Sequence, residues 1–340
     1  MKKLVTFGEI MLRLNPEGYL RFRQADKFEA SYAGGEANVA VSAANFGMAA
    51  EYVTKLPENE IGQCVVDTLS RFHVGTDKIV FGGPRLGIYF VEKGASQRAS
   101  KVIYDRANSS IALAKRSDFD WDKIFEGVTW YHFTGITPAL GGECPEICMD
   151  AVKAAKTKGV YISCDLNFRK KLWSSAEAEK VMSQLMPYVD LCIANEEDAK
   201  DVFGIVADHT DIEGGKLDYN GYISVARQIT DRFGCKKVAI TLRGSLSASE
   251  NDWAGMLYSD SQAYFSPTYR IKIVDRVGGG DSFGGALIYA LSNDYTPQDA
   301  INYAVAASCL KHTIEHDFNL VSVAEVKALA AGNASGRVQR

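Results

Sequence analysis

The chain has 340 residues, of which 46% are hydrophobic and 24% charged, with a formal net charge of −4; this is enough to bury a large core, as two domains or as one large α/β domain with an attachment, and it excludes a fibre or a disordered chain. No apolar run reaches the roughly 20 residues of a membrane span, and no basic block offers clustered Lys and Arg to a phosphate backbone, so neither a membrane nor a nucleic acid is the expected partner. The opening residues 1–9 are too briefly apolar for a signal peptide, and seven cysteines without a C-x-x-C pair suit reduced thiols in a cytoplasmic protein better than a disulfide framework or a zinc site.

In chain order, short β-branched or aromatic runs alternate with stretches of helical periodicity. Residues 4–7 predict a strand and 36–46 a helix. Strands follow at 128–133, 160–166, 191–194 and 237–242, separated by helices at 143–158, 176–188 and 222–233. Two further helices, 282–291 and 297–313, close the pattern, and the last dozen residues read as a trailing segment. The alternation predicts a mostly parallel central sheet covered by helices on both faces. Two segments, about 13–32 and 86–104, instead alternate apolar and polar residues between turns. They predict a small antiparallel sheet, inserted in one continuous domain covering 1–340. His132, inside an apolar strand, is expected to be a core residue and no metal ligand.

The most informative string is Asp275-Arg276-Val277-Gly278-Gly279-Gly280-Asp281, directly before an apolar helix. Consecutive glycines let several backbone N–H groups point at one spot, and the start of a helix adds the positive end of its dipole; together they suit phosphate oxygens. A carboxylate placed there opposes an anion unless it has a task, and accepting the proton of a hydroxyl that attacks a phosphoryl group is such a task. The alternative is that Asp281 caps the helix and the glycines form a tight turn. A second pair, Gly34-Gly35, opens a helix carrying Asn38, whose amide suits sugar hydroxyls or else ordinary capping.

With both glycine elements in view, the chain resembles the ribokinase-like, or phosphofructokinase B, family of carbohydrate kinases over nearly its full length. The N-terminal signature of that family matches Gly34, Gly35 and Asn38; its C-terminal Asp-x-x-Gly-x-Gly-Asp matches Asp275, Gly278, Gly280 and Asp281. The resemblance implies a three-layer α/β core with a β-sheet lid over the sugar and a phosphotransferase that uses ATP. It also implies an anion hole at Gly278, Gly279 and Gly280, with Asp281 as catalytic base and substrate contact. Magnesium is the implied metal, potassium a further candidate ion, and the lid sheet the surface through which copies of the chain would pair. Asn195-Glu196-Glu197-Asp198 is similar to the family's Asn-x-x-Glu motif, with Asp198 in the place of Glu; its shorter reach predicts a metal contact through water, against the alternative of an acid complementing a helix dipole. Thr241, Arg243 and Gly244 look like part of the nucleotide-binding loop, joined by Asn167, Arg169 and Asn195. Arg276 departs from the Thr that many members carry.

The acceptor is read from arginines. Arg169, in Asp165-Leu166-Asn167-Phe168-Arg169, ends a buried strand, and strand alternation places Tyr104 and Arg106 on one face with Tyr89 on a neighbouring strand. Two guanidinium groups suit a sugar acid, because Arg pairs with carboxylate through a planar fork. Within the family this resembles 2-keto-3-deoxygluconate kinases, as does Asp317 in Glu315-His316-Asp317-Phe318, where it matches a substrate-contacting Asp. The alternatives are that Arg106 is a surface residue paired with Asp105 or another acid, and that Arg169 serves only ATP phosphate, as in fructokinases. An NAD-dependent oxidoreductase is the rival of another class, but the triple glycine is followed at once by Asp281 and lacks the G-x-G-x-x-G spacing.

Overall fold

Adjacent residues of the first strand, β1 (Lys3–Phe7), enter different hydrophobic clusters, Leu4 on one side and Val5 on the other, as a strand buried on both faces requires. The computed structural model describes residues 2–206 and 219–333. After β1 come β2 (Met11–Asn15), β3 (Glu29–Ala33), α1 (Gly35–Asn45), β4 (Ala49–Val53), the short β5 (Lys55–Leu56), α2 (Glu60–Arg71) and β6 (Val80–Phe81). The chain continues through β7 (Gly87–Glu92), β8 (Lys101–Asp105), α3 (Trp121–Ile124), β9 (Trp130–Thr134), α4 (Cys144–Thr157), β10 (Tyr161–Asp165), α5 (Ser175–Leu185), β11 (Leu191–Ala194) and α6 (Glu196–Phe203). It ends with α7 (Tyr219–Phe233), β12 (Lys237–Ser245), β13 (Glu250–Ser259), β14 (Gln262–Phe265), β15 (Tyr269–Lys272), α8 (Gly279–Ser292), α9 (Pro297–Lys311) and α10 (Val323–Ala330).

The main sheet runs β14-β13-β12-β11-β10-β9-β1-β4, with β15 paired to β13. From β4 to β12 every pairing is parallel; β13, β14 and β15 add an antiparallel end. Helices α1, α8 and α9 pack in one hydrophobic cluster and α4, α5 and α7 in the other, so the sheet is the middle of three layers. Local chemistry marks several boundaries: Asn59 caps α2, Ser174 with Glu177 and Ser322 with Glu325 form capping boxes on α5 and α10, and left-handed Gly204 ends α6. His132 is a neutral core residue whose Nδ1 lies 2.9 Å from Ser163 Oγ, burial having pushed its pKa down to about 3. Among the described residues no helix is long and apolar enough to cross a membrane.

A separate four-stranded sheet has the order β3-β2-β7-β8. It is mixed and not the expected antiparallel sheet: β2 and β7 run parallel, because the chain leaves through β3, traverses the main sheet and returns in the same direction. The terminal antiparallel strands of the main sheet, β13 to β15, have no counterpart in the sequence expectation, and β12 continues past 242 because β13 pairs with it as far as Ser245. Of the trailing segment, 334–340 lie outside the described residues.

One ion cluster ties the small sheet to the core. Arg13 of β2 is fully buried, with Nη2 2.6 Å from Asp275 Oδ2 and Nη1 2.5 Å from Asp317 Oδ2. Removing one partner of a buried pair leaves the others uncompensated, so Arg13→Met is expected to lower unfolding stability in urea by about 3–5 kcal/mol. An unchanged midpoint would mean that the two sheets hold together without this cluster.

Candidate active site

The parallel strands direct their carboxyl ends to one edge, where three backbone turns converge: the start of α1, the loop after β10 and the turn before α8. At Gly34 a Cβ would lie 2.0 Å from the carbonyl oxygen of Glu9, so the close approach admits no side chain. Gly278 has φ +81° and a Cβ there would lie 2.0 Å from the carbonyl oxygen of Asp317; only glycine satisfies both conditions. Beyond it α8 begins, with Gly278 as N-cap and no side-chain cap. Three glycines thus open the helix, and at Gly280 the space where a Cβ would stand is empty.

Asp281 lies in the first turn of α8 and does not cap it. Its Oδ2 accepts from Asn38 Nδ2 at 2.6 Å, and Oδ1 lies 3.6 Å from the point where a Cβ of Gly35 would be. The two glycine motifs are therefore in contact through Asn38 and Asp281, 243 residues apart in sequence. Burial, reinforced by the charges of Asp317 and Glu36 and opposed by Asn38 and Arg169, pushes the Asp281 pKa up to about 6. A carboxylate tuned there can take a proton near neutral pH, beside the start of a helix, whose dipole favours an anion.

A cleft of about 600 Å³ opens along this edge. Asn167, Arg169, Asn195, Asp198, Thr241 and Arg243 line it, together with Gly278, Gly279, Gly280 and Asp281. Gly244 does not line it. The string 241–244 is no loop but the end of β12, where Gly244 sits opposite Asp252 and alternation sends Thr241 and Arg243 to the cleft. Asn167 adopts φ +39°, which turns the chain after β10, and its amide donates to Asp165 Oδ1 at 3.1 Å. Asp198 has backbone partners for both oxygens: Phe168 N at 3.0 Å and Asn195 N at 3.4 Å, within a capping box on α6. Burial, opposed by those bonds and by Arg169, raises its pKa to about 6. Asp165 is held well above the usual carboxylate range by burial and by Asp198 and Asp281.

On the small sheet, Tyr89 and Tyr104 are cross-strand partners with ring centroids 6.1 Å apart, and the Arg106 guanidinium lies 5.4 Å from the Tyr104 centroid. Arg106 is paired with an acid other than Asp105, which pairs with Arg85, and it is not on the surface: it is largely buried and its Nε donates to Glu9 Oε2 at 2.7 Å. Ser109 Oγ holds the other oxygen of Glu9 at 2.6 Å. Asp317 already has partners for both oxygens, Arg13 on Oδ2 and the Tyr89 hydroxyl at 2.5 Å on Oδ1. Sequence reasoning did not single out Glu9, Arg13, Glu36 or Lys311. An acid two residues past the first strand, and a lone lysine ending an apolar helix, were the available signals for Glu9 and Lys311. Glu36 is buried, accepting from Thr134 Oγ1 at 2.6 Å and Thr137 Oγ1 at 2.7 Å.

A glycine-walled helix start beside a carboxylate tuned near neutrality, on the open edge of a three-layer α/β core, has the form of a phosphotransferase. The chain belongs to the pfkB family of carbohydrate kinases, whose model matches residues 1–315. It is 31% identical to the 2-dehydro-3-deoxygalactonokinase of Haloferax volcanii over 98% of each chain. The crystal structure of 2-dehydro-3-deoxygluconokinase from Thermotoga maritima superposes with a TM-score of 0.94 at 51% identity, covering 97% of this chain and 98% of that one. The 2-dehydro-3-deoxygluconokinase of Thermoproteus tenax is 26% identical over 91% of this chain and 88% of its own. The oxidoreductase alternative is thereby set aside.

Asp281→Asn keeps an oxygen for the Asn38 amide and removes the titrating group. It is expected to lower turnover by roughly 100- to 10,000-fold. Wild-type kcat/KM should fall as pH drops through about 6, the value to which the Asp281 carboxyl is pushed. The pKa is raised in the fold, so ionisation costs stability above the ordinary carboxylate range; the Asn variant should melt no lower than wild type at pH 8 and converge with it in acid. Near-normal turnover in the folded variant would remove Asp281 from the chemistry.

Proposed function

We propose that the chain is an ATP-dependent kinase that phosphorylates the terminal hydroxyl of 2-keto-3-deoxygluconate, also named 2-dehydro-3-deoxygluconate. The observation that carries this reading is the buried Arg106, stacked on Tyr104 and linked through Glu9 and Gly34 to the turn that faces Asp281. A guanidinium in that setting suits the carboxylate of a sugar acid, and the names of the relatives agree with it. Fructokinase is the second reading, because Glu9 already neutralises Arg106 and a neutral sugar would leave that pair intact.

In this reading the small sheet is a lid that excludes water, Tyr104 and Arg106 hold the acid end of the sugar, and Tyr89 with Asp317 orders the wall behind it. Asn38 and Gly35 set the terminal hydroxyl against Asp281. As its oxygen bonds to the γ-phosphorus and the bond to ADP breaks, its proton passes to Asp281. The amides of 278–280 and Arg169 meet the charge on the transferring group. The cleft is of a size that holds a nucleotide, with Asn167, Asn195, Thr241 and Arg243 on its walls.

Among the described residues no cluster of three or more His, Cys, Asp or Glu is arranged to hold a metal. Two carboxyls with raised pKa values, Asp165 and Asp198, nevertheless face the cleft, a donor set that suits magnesium keeping most of its waters. Magnesium bound with the ATP phosphates would supply charge neutralisation there. We assign no separate requirement for potassium. The exposed Tyr19, Leu20, Phe28 and Ile103 around the small sheet support pairing of two copies through the lid, and seven free cysteines support a reducing, cytoplasmic setting.

Two experiments test the acceptor and the metal. Arg106→Ala should cost about 2–5 kcal/mol of binding for the sugar acid, the usual effect of truncating one partner of a desolvated charge pair, with little change for fructose. Equal damage to both substrates would contradict the acid assignment. Asp198→Asn should raise the magnesium concentration needed for half-maximal rate while sugar KM holds; an unchanged titration would leave Asp198 as a helix cap alone.

A further inference from the structure

Lys311 is the last residue of α9 and its side chain is fully buried. Long charged side chains ordinarily extend to water. This one instead donates from Nζ to three backbone carbonyls: Asp275 at 3.2 Å, His316 at 2.6 Å, and Val277. The three donors of an ammonium thus meet three acceptors, which meets the condition for burying it. The carbonyls come from the two segments that make the Gly278 turn. Asp275 and Val277 lead into Gly278, and His316 precedes Asp317, whose carbonyl packs against Gly278. Arg13 grips the same two segments from the small sheet through the carboxylates of Asp275 and Asp317. Lys311 therefore holds by their backbones what Arg13 holds by their side chains.

Peptide geometry connects this to the anion site. In a trans peptide the C=O and N–H groups point to opposite sides. Drawing the Val277 carbonyl to Lys311 turns the amide of Gly278 the other way, and Gly278 lines the cleft. We propose that Lys311 is a positioning residue for phosphoryl transfer: a tethered cation that fixes the glycine turn through the carbonyls of Asp275, Val277 and His316, and occupies the place where a free monovalent cation would otherwise be needed. Converging backbone carbonyls are the ligands that replace the hydration shell of potassium, and an ammonium is a compact point charge of comparable use. The inference rests on the turn being the anion site.

The test compares wild type, Lys311→Ala and Lys311→Met in potassium, ammonium, sodium and tetramethylammonium chlorides at one ionic strength. Wild-type turnover should be the same in all four. Lys311→Ala, which opens a space ringed by carbonyls, should lose roughly 10- to 100-fold in kcat with sugar KM within about twofold, as expected when a group near the chemistry is misplaced. Potassium or ammonium, but not tetramethylammonium, should restore about fivefold or more of the Ala loss, whereas Lys311→Met, filled without charge, should stay low in every salt. Strong potassium activation of wild type overturns the proposal. So does a folded Lys311→Ala or Lys311→Met with wild-type kcat, or an Ala loss that no cation restores. If neither variant folds, the wild-type salt comparison decides. Asp281→Asn run alongside separates the two claims: turnover surviving there defeats the site itself, whereas its loss beside an unaffected Lys311→Ala defeats only the role of the lysine.

Discussion

The left-handed turn at Gly278, pressed against the backbone of Asp317, is the constraint from which the site follows. It sets where α8 starts, and so where the first turn of that helix and Asp281 lie. Such a turn is open only to glycine, and a glycine turn has no side chain to anchor it. The anchoring comes from charges buried around it: Arg13 between Asp275 and Asp317, and Lys311 among the carbonyls. Buried ions of this kind add little net stability when compared with apolar packing, but they tolerate few alternative arrangements. Here they specify one conformation at the point where the chemistry needs it.

The cleft carries charges of both signs. Asp165, Asp198 and Asp281 line it with Arg169, and burial together with mutual repulsion holds Asp165 above the ordinary range. Arg243 and Arg276 line the same cleft. Arg276 gives one bond to the Ala248 carbonyl at 3.1 Å, its Nε has no partner, and burial and Arg243 together lower its pKa. Two guanidinium groups left this open suit a polyphosphate, so the departure from Thr at 276 adds cationic character to the side proposed for the nucleotide. In the proposed reaction the acids would serve the proton and the metal, and the arginines the phosphate charge.

The glycine motifs were legible because each encodes a backbone demand that few residues meet, and the helices because apolar spacing repeats along them. The backbone demand at Gly34 and Gly278 shows in the sequence because a Cβ cannot fit there. What was not legible is pairing between distant segments. In a linear string Arg106 has Asp105 or any other acid for a partner; only the fold brings Glu9 to it across 97 residues. Asp317 looks free to meet a ligand until Arg13, 304 residues away, is found on it. The parallel pairing of β2 with β7 and the extension of β12 along β13 were hidden likewise, since register depends on partners that local alternation does not name.

The claim that the chain is a sugar-acid kinase is tested most directly by ATP consumption across a panel of acceptors. The panel holds 2-keto-3-deoxygluconate, its galactonate epimer, gluconate, fructose, ribose and tagatose, each compared by kcat/KM. A keto-deoxy acid should lead the panel, with the neutral sugars well behind, because only an acid engages Arg106 through its fork. Preference for fructose, or equal rates on acid and neutral sugars, would contradict the account.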